Sequence, residues 1–189
     1  MRHKYETRGI VLSRSPVGEA STFITLLTPE LGLVRALSQG VRKSGAKLAA
    51  SLTTFAESDV VLVRGKDGWR LAGAVLAENW FARLGSSEPR ERAGRVTSLV
   101  LRLVAGEEHE QELFPIVRGF FEALAMLPAD THEAVEVLVA LRILAVLGLD
   151  AGEIPSGEPA FAPELLADIL KKRTGYIARI NNGIAASGL

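Results

Sequence analysis

The sequence predicts an α+β chain, with a small five-stranded β-barrel in its first half and an all-α domain in its second. Three observations predict it. Short β-prone runs alternate with tight turn signals as far as Glu78, the hydrophobic period switches to a helical one after Ser87, and polar and small residues interrupt both patterns around Leu84 to Glu88. The expected division is residues 1–84 for the barrel and 85–189 for the helices.

The first strands are expected at Gly9 to Leu12, Thr22 to Leu27 and Leu33 to Leu37, separated by Pro16-Val17-Gly18 and Pro29-Glu30-Leu31-Gly32. Ala46 to Leu52 reads as one or two helical turns, and Phe55 to Val63 returns to strand. Gly65-Lys66-Asp67-Gly68 is a hairpin turn, since Asp-Gly supplies the positive backbone angle. It leads into a fifth strand over Trp69 to Glu78. Five strands with a short helix between the third and fourth is the element order of an OB-fold, with an SH3-like barrel as the competitor.

In the second half Ser87 is the expected N-cap and Pro89 lies in the first turn. Val96, Leu99, Val100, Leu103 and Val104 repeat at i, i+3, i+4, i+7 and i+8 and make one apolar stripe. Gly106 is the expected stop. A second helix is read over Glu107 to Leu127, with Leu113, Val117, Phe120, Phe121 and Leu124 inward and Pro115 as a kink or the true start. A third runs from a Thr131 cap to Leu147 and stops at Gly148. Asp150 to Pro163 is a Gly- and Pro-rich loop, and a last helical region extends from Glu164 toward Ala186.

Hydrophobic residues make up 48% of the 189 and charged residues 23%, the composition of an ordinary globular chain. The net charge of zero hides an asymmetry. Residues 1–85 hold 12 Lys/Arg against 7 Asp/Glu, and residues 86–189 hold 10 against 15. The positive half attracts polyanions, although such a split also suits two halves that pack on each other. There is no cysteine, which excludes disulfides and thiolate metal sites. The N-terminus lacks the apolar core of a signal peptide, and no apolar run is long enough to span a bilayer, so a cytoplasmic protein without a membrane partner is expected.

Catalytic chemistry finds no motif. Gly40-Val41-Arg42-Lys43-Ser44-Gly45-Ala46-Lys47 has the look of a phosphate loop, but that loop needs Lys directly after its second Gly and Ser or Thr next, and Ala46 breaks that spacing. The segment reads instead as a phosphate-contacting loop carrying Arg42, Lys43 and Lys47, or as a solvated basic turn. His3, His109 and His132 lack ligand spacing, are assigned to the surface, and imply no metal site. Glu107, Glu108 and Glu110 suit a helix start better than a hydrolase. Neither a nucleophile elbow nor a dinucleotide fingerprint occurs, so no enzyme and no cofactor are expected. Tyr5, Phe23, Phe55, Trp69, Trp80 and Phe81 are mostly assigned to packing; Phe23 is open between the two faces of its strand, and Trp69 is the better-placed ring for base stacking.

Taken in order, Gly9-Ile10-Val11-Leu12, Gly18-Glu19-Ala20-Ser21, Leu27 to Val34 and Gly40 to Ser44 resemble the N-terminal domain of the RecO family of bacterial recombination mediators. The likeness continues through Leu48 to Leu52, Phe55 and Val61 to Gly65 and is weaker in the helical half, at Glu107, Leu113-Phe114, Leu141 to Gly148 and the Ile180 to Leu189 tail.

The resemblance implies a DNA-binding OB-fold and an α-helical second domain. It implies DNA repair by binding single- and double-stranded DNA, annealing of complementary strands, and loading of recombinase onto DNA coated by the single-strand-binding protein (SSB). Implied partners are RecR and the acidic C-terminal tail of SSB, with a cytoplasmic, nucleoid-associated location. Some family members carry a four-cysteine zinc module that this chain cannot have. Arg14, Arg35, Arg42, Lys43 and Lys47 fall on the family's DNA-facing positions, with Arg64, Lys66 and Arg70 behind them. Arg95, Arg102, Arg118 and Arg142, beside apolar helix positions, suit an acidic tail with a hydrophobic end. The alternatives kept open are an adaptor of the same fold that binds only protein through its basic loop, and a small hydrolase for which no residue can be named.

Overall fold

A computed structural model of the chain describes residues 3–19, 21–39, 49–104 and 110–188. These fall into two compact units, 3–83 with 110–114 and 84–104 with 115–188.

The first unit is a closed barrel of β1 (His3–Val17), β2 (Ser21–Thr28), β3 (Gly32–Gln39), β4 (Ala56–Gly65) and β5 (Gly68–Asn79). Its order is β1-β2-β3-β5-β4, every pair antiparallel except β3 with β5, which closes the barrel at Ala36 with Trp69 and Leu37 with Arg70. That order is the OB-fold and not the SH3-like alternative. Alternating side chains from all five strands fill the centre, among them Val11, Ile24, Leu26, Val34, Val60, Leu62 and Leu71. Leu52, on a short 3₁₀ turn (Ala50–Leu52), joins that core. The turn is all of the expected Ala46 to Leu52 helix that lies within the described residues, apart from Ala49 before it.

Local chemistry sets the connections. Between β2 and β3 the Thr28 hydroxyl accepts from the Leu31 N–H at 3.0 Å and donates to the Gly32 carbonyl at 3.0 Å, while Gly32 takes φ +64°. The β1 strand is far longer than the four apolar residues that announced it. His3 to Ile10 pair with β4 and Ile10 to Val17 with β2, across a bulge between Val11 and Ser13, so backbone pairing extends into polar sequence with no alternation to reveal it. After β5 a single helical turn, α1 (Trp80–Arg83), carries the buried Trp80, whose indole N–H donates to the buried Glu57 carboxylate at 2.8 Å.

The second unit consists of α2 (Ser87–Leu103), α3 (Leu113–Met126, its first two residues in the first unit), α4 (His132–Val146), α5 (Pro163–Lys171) and α6 (Arg173–Ala186). The α4 helix is apolar on nearly every side and is buried as such, with α2, α5 and α6 packed on it. It stops at Gly148, φ +68°, where the Leu149 N–H reaches back to the Leu144 carbonyl at 2.8 Å.

Several sequence expectations need correction here. Ser86 and not Ser87 stands at the α2 N-cap, and its side chain makes no capping bond. The buried face of α2 is Ala93, Val96, Thr97, Val100 and Val104, with Leu99 and Leu103 half-buried. α2 ends at Leu103, before the expected stop at Gly106, which lies outside the described residues. α3 begins at Leu113 with Pro115 in its first turn, where a missing N–H costs nothing; all five apolar positions assigned inward are buried. Thr131 is at the α4 N-cap, but its hydroxyl donates to the Pro128 carbonyl at 2.7 Å and does not cap the helix. The last helical region breaks at Lys172 into α5 and α6. His132, assigned to the surface, is buried: Nδ1 lies 2.9 Å from a Glu88 carboxylate oxygen and Nε2 3.1 Å from the Leu127 carbonyl. Its two ring nitrogens tie α4 to α2 and to the end of α3.

Candidate nucleic-acid interface

Strand register gathers the cations of the barrel. Residues directly opposite each other on paired strands share a face, so two rows can be followed around one end. The inner row runs Arg14, Ile24, Ala36, Trp69, Arg64, His3. Its centre is buried, and its two ends place Arg14, Arg64 and His3 at the rim. The outer row runs Ser15, Phe23, Leu37, Arg70, Val63, Lys4. Arg35 shares that outer face, with its guanidinium 4.0 Å over the Phe23 ring. Lys66 sits on the β4–β5 turn beside Arg64 and Arg70. Arg14, Arg35, Arg64, Lys66 and Arg70, scattered over 57 positions of sequence, thus fall around one end of the barrel, with Arg64, Lys66 and Arg70 lining one recess there.

Among the described residues Arg14, Arg35, Lys66 and Arg70 carry no ion pair. Other cations of the barrel are engaged: Arg8 with Asp59 at 2.8 Å and with Glu57 at 3.4 Å, Lys4 with Glu6 at 2.5 Å, and Arg83 with Glu78 at 2.9 Å. The Asp59 hydrogen bond raises the Arg8 guanidinium further above its ordinary range against the effect of burial, and Lys4 holds the Glu6 carboxyl below its own. Arg42, Lys43 and Lys47 lie outside the described residues, as does His109.

The rings sort by burial. Trp69, read as the better-placed stacking ring, is 7% exposed and plugs the barrel, with Tyr5 edge-on at 5.1 Å and Arg64 4.9 Å above it; it offers no open face to a base. Phe23 faces outward beneath Arg35 while Ile24 points into the core. Phe55 and Trp80 are buried, and Phe81 is exposed. A guanidinium already stacked on a ring presents a planar, cationic surface that can accept a phosphate at its edge. Near the same end Thr22 and Ser38, opposite each other on β2 and β3, bury hydroxyls with no hydrogen-bond partner among the described residues.

The helical unit has its own recess, a groove of about 1140 Å³ with α4 between α2 and α6. Leu99, Val137, Ala140, Ile177, Ile180 and Ile184 make it apolar. Arg95 and Arg102 line it, but Arg95 forks onto Glu136 at 2.6 and 2.8 Å, which also accepts from Arg92 at 2.5 Å. Arg102 has no ion pair among the described residues. Arg118 lies elsewhere, beside Glu122 at 3.6 Å, and Arg142 donates to the Ala160 carbonyl at 2.9 Å with its guanidinium over Phe161. Burial lowers the Arg142 pKa from its ordinary value. The four arginines assigned to one ligand therefore do not share a site.

A family model described as "Recombination protein O N terminal" matches residues 1–79. Similar proteins include the DNA repair protein RecO of Heliobacterium modesticaldum, 32% identical over 174 residues that cover 85% of this chain and 62% of the relative. The chain belongs to the RecO family. RecO of a Synechococcus strain is 33% identical over 144 residues, 68% of this chain and 50% of the relative, and RecO of Gloeobacter violaceus is 30% identical over 145 residues, 77% and 56%. The chain spans about half to three-fifths of the length of these RecO proteins. No helix among the described residues is long and apolar enough to cross a membrane.

Sequence reasoning missed His3 as a member of the basic end and left Phe23 open between the two faces of its strand. Neither has a motif, and only the pairing of His3 with Arg64 and of Phe23 with Leu37 reveals them. It also missed Glu136, which occupies Arg92 and Arg95 from 41 or more positions away.

Proposed function

We propose that this chain is a non-enzymatic DNA repair protein that binds single- and double-stranded DNA at the basic end of its barrel, anneals complementary strands and helps load recombinase onto SSB-coated single strands. The observation that carries the reading is the placement of Arg14, Arg35, Arg64, Lys66 and Arg70 around one end of an OB-fold, four of them with no ion pair among the described residues. Cations so placed neutralise phosphates and release counterions without reading sequence. Two strands neutralised on one surface no longer repel each other, which is the physical requirement for annealing. Residues 1–84 act as the DNA-binding domain, with Arg42, Lys43 and Lys47 adding to its charge, and residues 85–189 as the partner-binding domain.

RecR and the acidic tail of SSB are the protein partners in this reading, and the cytoplasm, at the nucleoid, is the place of action. Within the helical unit Arg102 and the apolar groove beside it fit a ligand that ends in a hydrophobic residue and a carboxylate; Arg95, Arg118 and Arg142 are held by other contacts. Mixing complementary oligonucleotides with the protein at low salt should speed duplex formation over the spontaneous rate. Binding of neither strand under those conditions, where electrostatic attraction is strongest, would favour a protein-only adaptor.

A further inference from the structure

We propose that the concave side of the β4–β5 hairpin is a site for the terminal phosphate of a nucleic-acid strand. The proposal rests on the DNA-binding reading above and deepens it. The cavity, about 570 Å³, opens where β1 begins and β4 turns into β5. His3, Arg64, Lys66 and Arg70 line it against one carboxylate, Asp67. The three cations and the one carboxylate among these side chains sum to two positive charges.

That charge and that shape select among phosphates. A diester within a strand carries one negative charge and two unbridged oxygens, and the chain must run past it in both directions. A terminal monoester carries about −1.5 to −2 near neutral pH and three acceptor oxygens, and needs only one way in. Cations spaced along a surface follow a diester chain, whereas three that converge on one recess, together with an imidazole N–H, match the oxygens and charge of a monoester. The remaining volume accommodates the terminal sugar.

The site is also preformed. Arg64 is held over the Trp69 ring, which Tyr5 braces from the edge, so less side-chain freedom is lost when an anion arrives. Gly65 lines the recess without a side chain, and Gly68, at φ +109°, closes a turn that a side chain there would strain.

The test is an anisotropy titration of the whole chain with one internally labelled single strand in three forms: 5′-phosphorylated, 3′-phosphorylated, and with hydroxyls at both ends. The expected result is about tenfold tighter binding of a phosphorylated form, the gain of an added charge-assisted contact, and the two arms identify the end recognised. Arg64→Gln with Arg70→Gln should bring the ratio between forms to one whatever happens to the affinity itself. Lys66→Gln, on the exposed turn and without a packing role, should lower the same ratio in a chain that folds normally. Equal affinity for all three forms would overturn the site while leaving DNA binding in place, and so would a preference that survives both sets of substitutions. Binding of none of the three would overturn the site and the DNA-binding reading together.

Discussion

Trp80 delivers its indole N–H into a carboxylate that the barrel has buried, and the pair joins the turn after β5 to β4. Arg8, on the neighbouring strand β1, approaches the same Glu57 at 3.4 Å, so three segments meet on one acid. Trp80→Phe keeps an aromatic ring but removes the donor along with some buried volume. A buried hydrogen bond to a charged group contributes about 1.5–3 kcal/mol, and urea unfolding of the variant should show a loss in that range; an unchanged midpoint would mean the bond carries no net stability. Asp150 makes a second such point. The Arg179 guanidinium grips both its oxygens at 2.6–2.9 Å and, with the Gly152 N–H, holds the carboxyl below its ordinary value of 3.8 against burial. A depressed folded-state pKa stabilises the fold above the ordinary value, and the contribution disappears as pH falls below it. The stability gap between the native chain and Arg179→Gln should therefore be widest at neutral pH and shrink in urea titrations at about pH 3 and lower. A gap of constant size would contradict the pairing.

At the scale of elements, α6 lies close to α4 because it carries a glycine where the two meet. A Cβ at Gly183 would come within 2.9 Å of the Leu149 carbonyl and 3.1 Å of a Leu144 methyl. Gly183→Ala should therefore cost about 1–3 kcal/mol in thermal or urea unfolding by overpacking, even though alanine is the better helix former; stabilisation would show that α6 can move away freely. The sequence made this kind of element legible only in part. The apolar stripe of α2, the inward face of α3, the Gly148 stop and the Lys66-Asp67 turn could be read directly, because period and turn chemistry are local. The polar ends of β1, the break at Lys172 and the burial of His132 could not. The strand and the histidine depend on partners distant in sequence: β4 and β2 for the strand, α2 for the histidine. Glu88 records the same coupling. Burial pushes its carboxyl up, yet the bonds from His132 and Arg92 outweigh that and hold it below the ordinary range.

For the molecule as a whole, charge asymmetry in the sequence makes the first half the basic one, and register shows how its cations reach one end of the barrel. Closure through the parallel contact of β3 with β5 brings Arg70 beside Leu37 and Phe23, and the β4–β5 turn carries Lys66 and Arg64 to the same end. No spacing in the sequence could reveal this, since Arg35 and Arg70 become neighbours only when the barrel closes. Trp69, the better-placed ring for stacking on sequence alone, is buried for the same reason, because the closure that exposes Arg70 buries the ring next to it. The direct test is the salt dependence of single-strand binding for the native chain and for Arg35→Ala, Arg64→Ala, Arg70→Ala combined. With roughly 0.7 counterions released per phosphate contact, the log–log slope of affinity against salt should become shallower by about 2 in the triple variant, with weaker binding to every sequence tested. An identical slope and affinity in the two proteins would contradict a DNA interface at this end of the barrel.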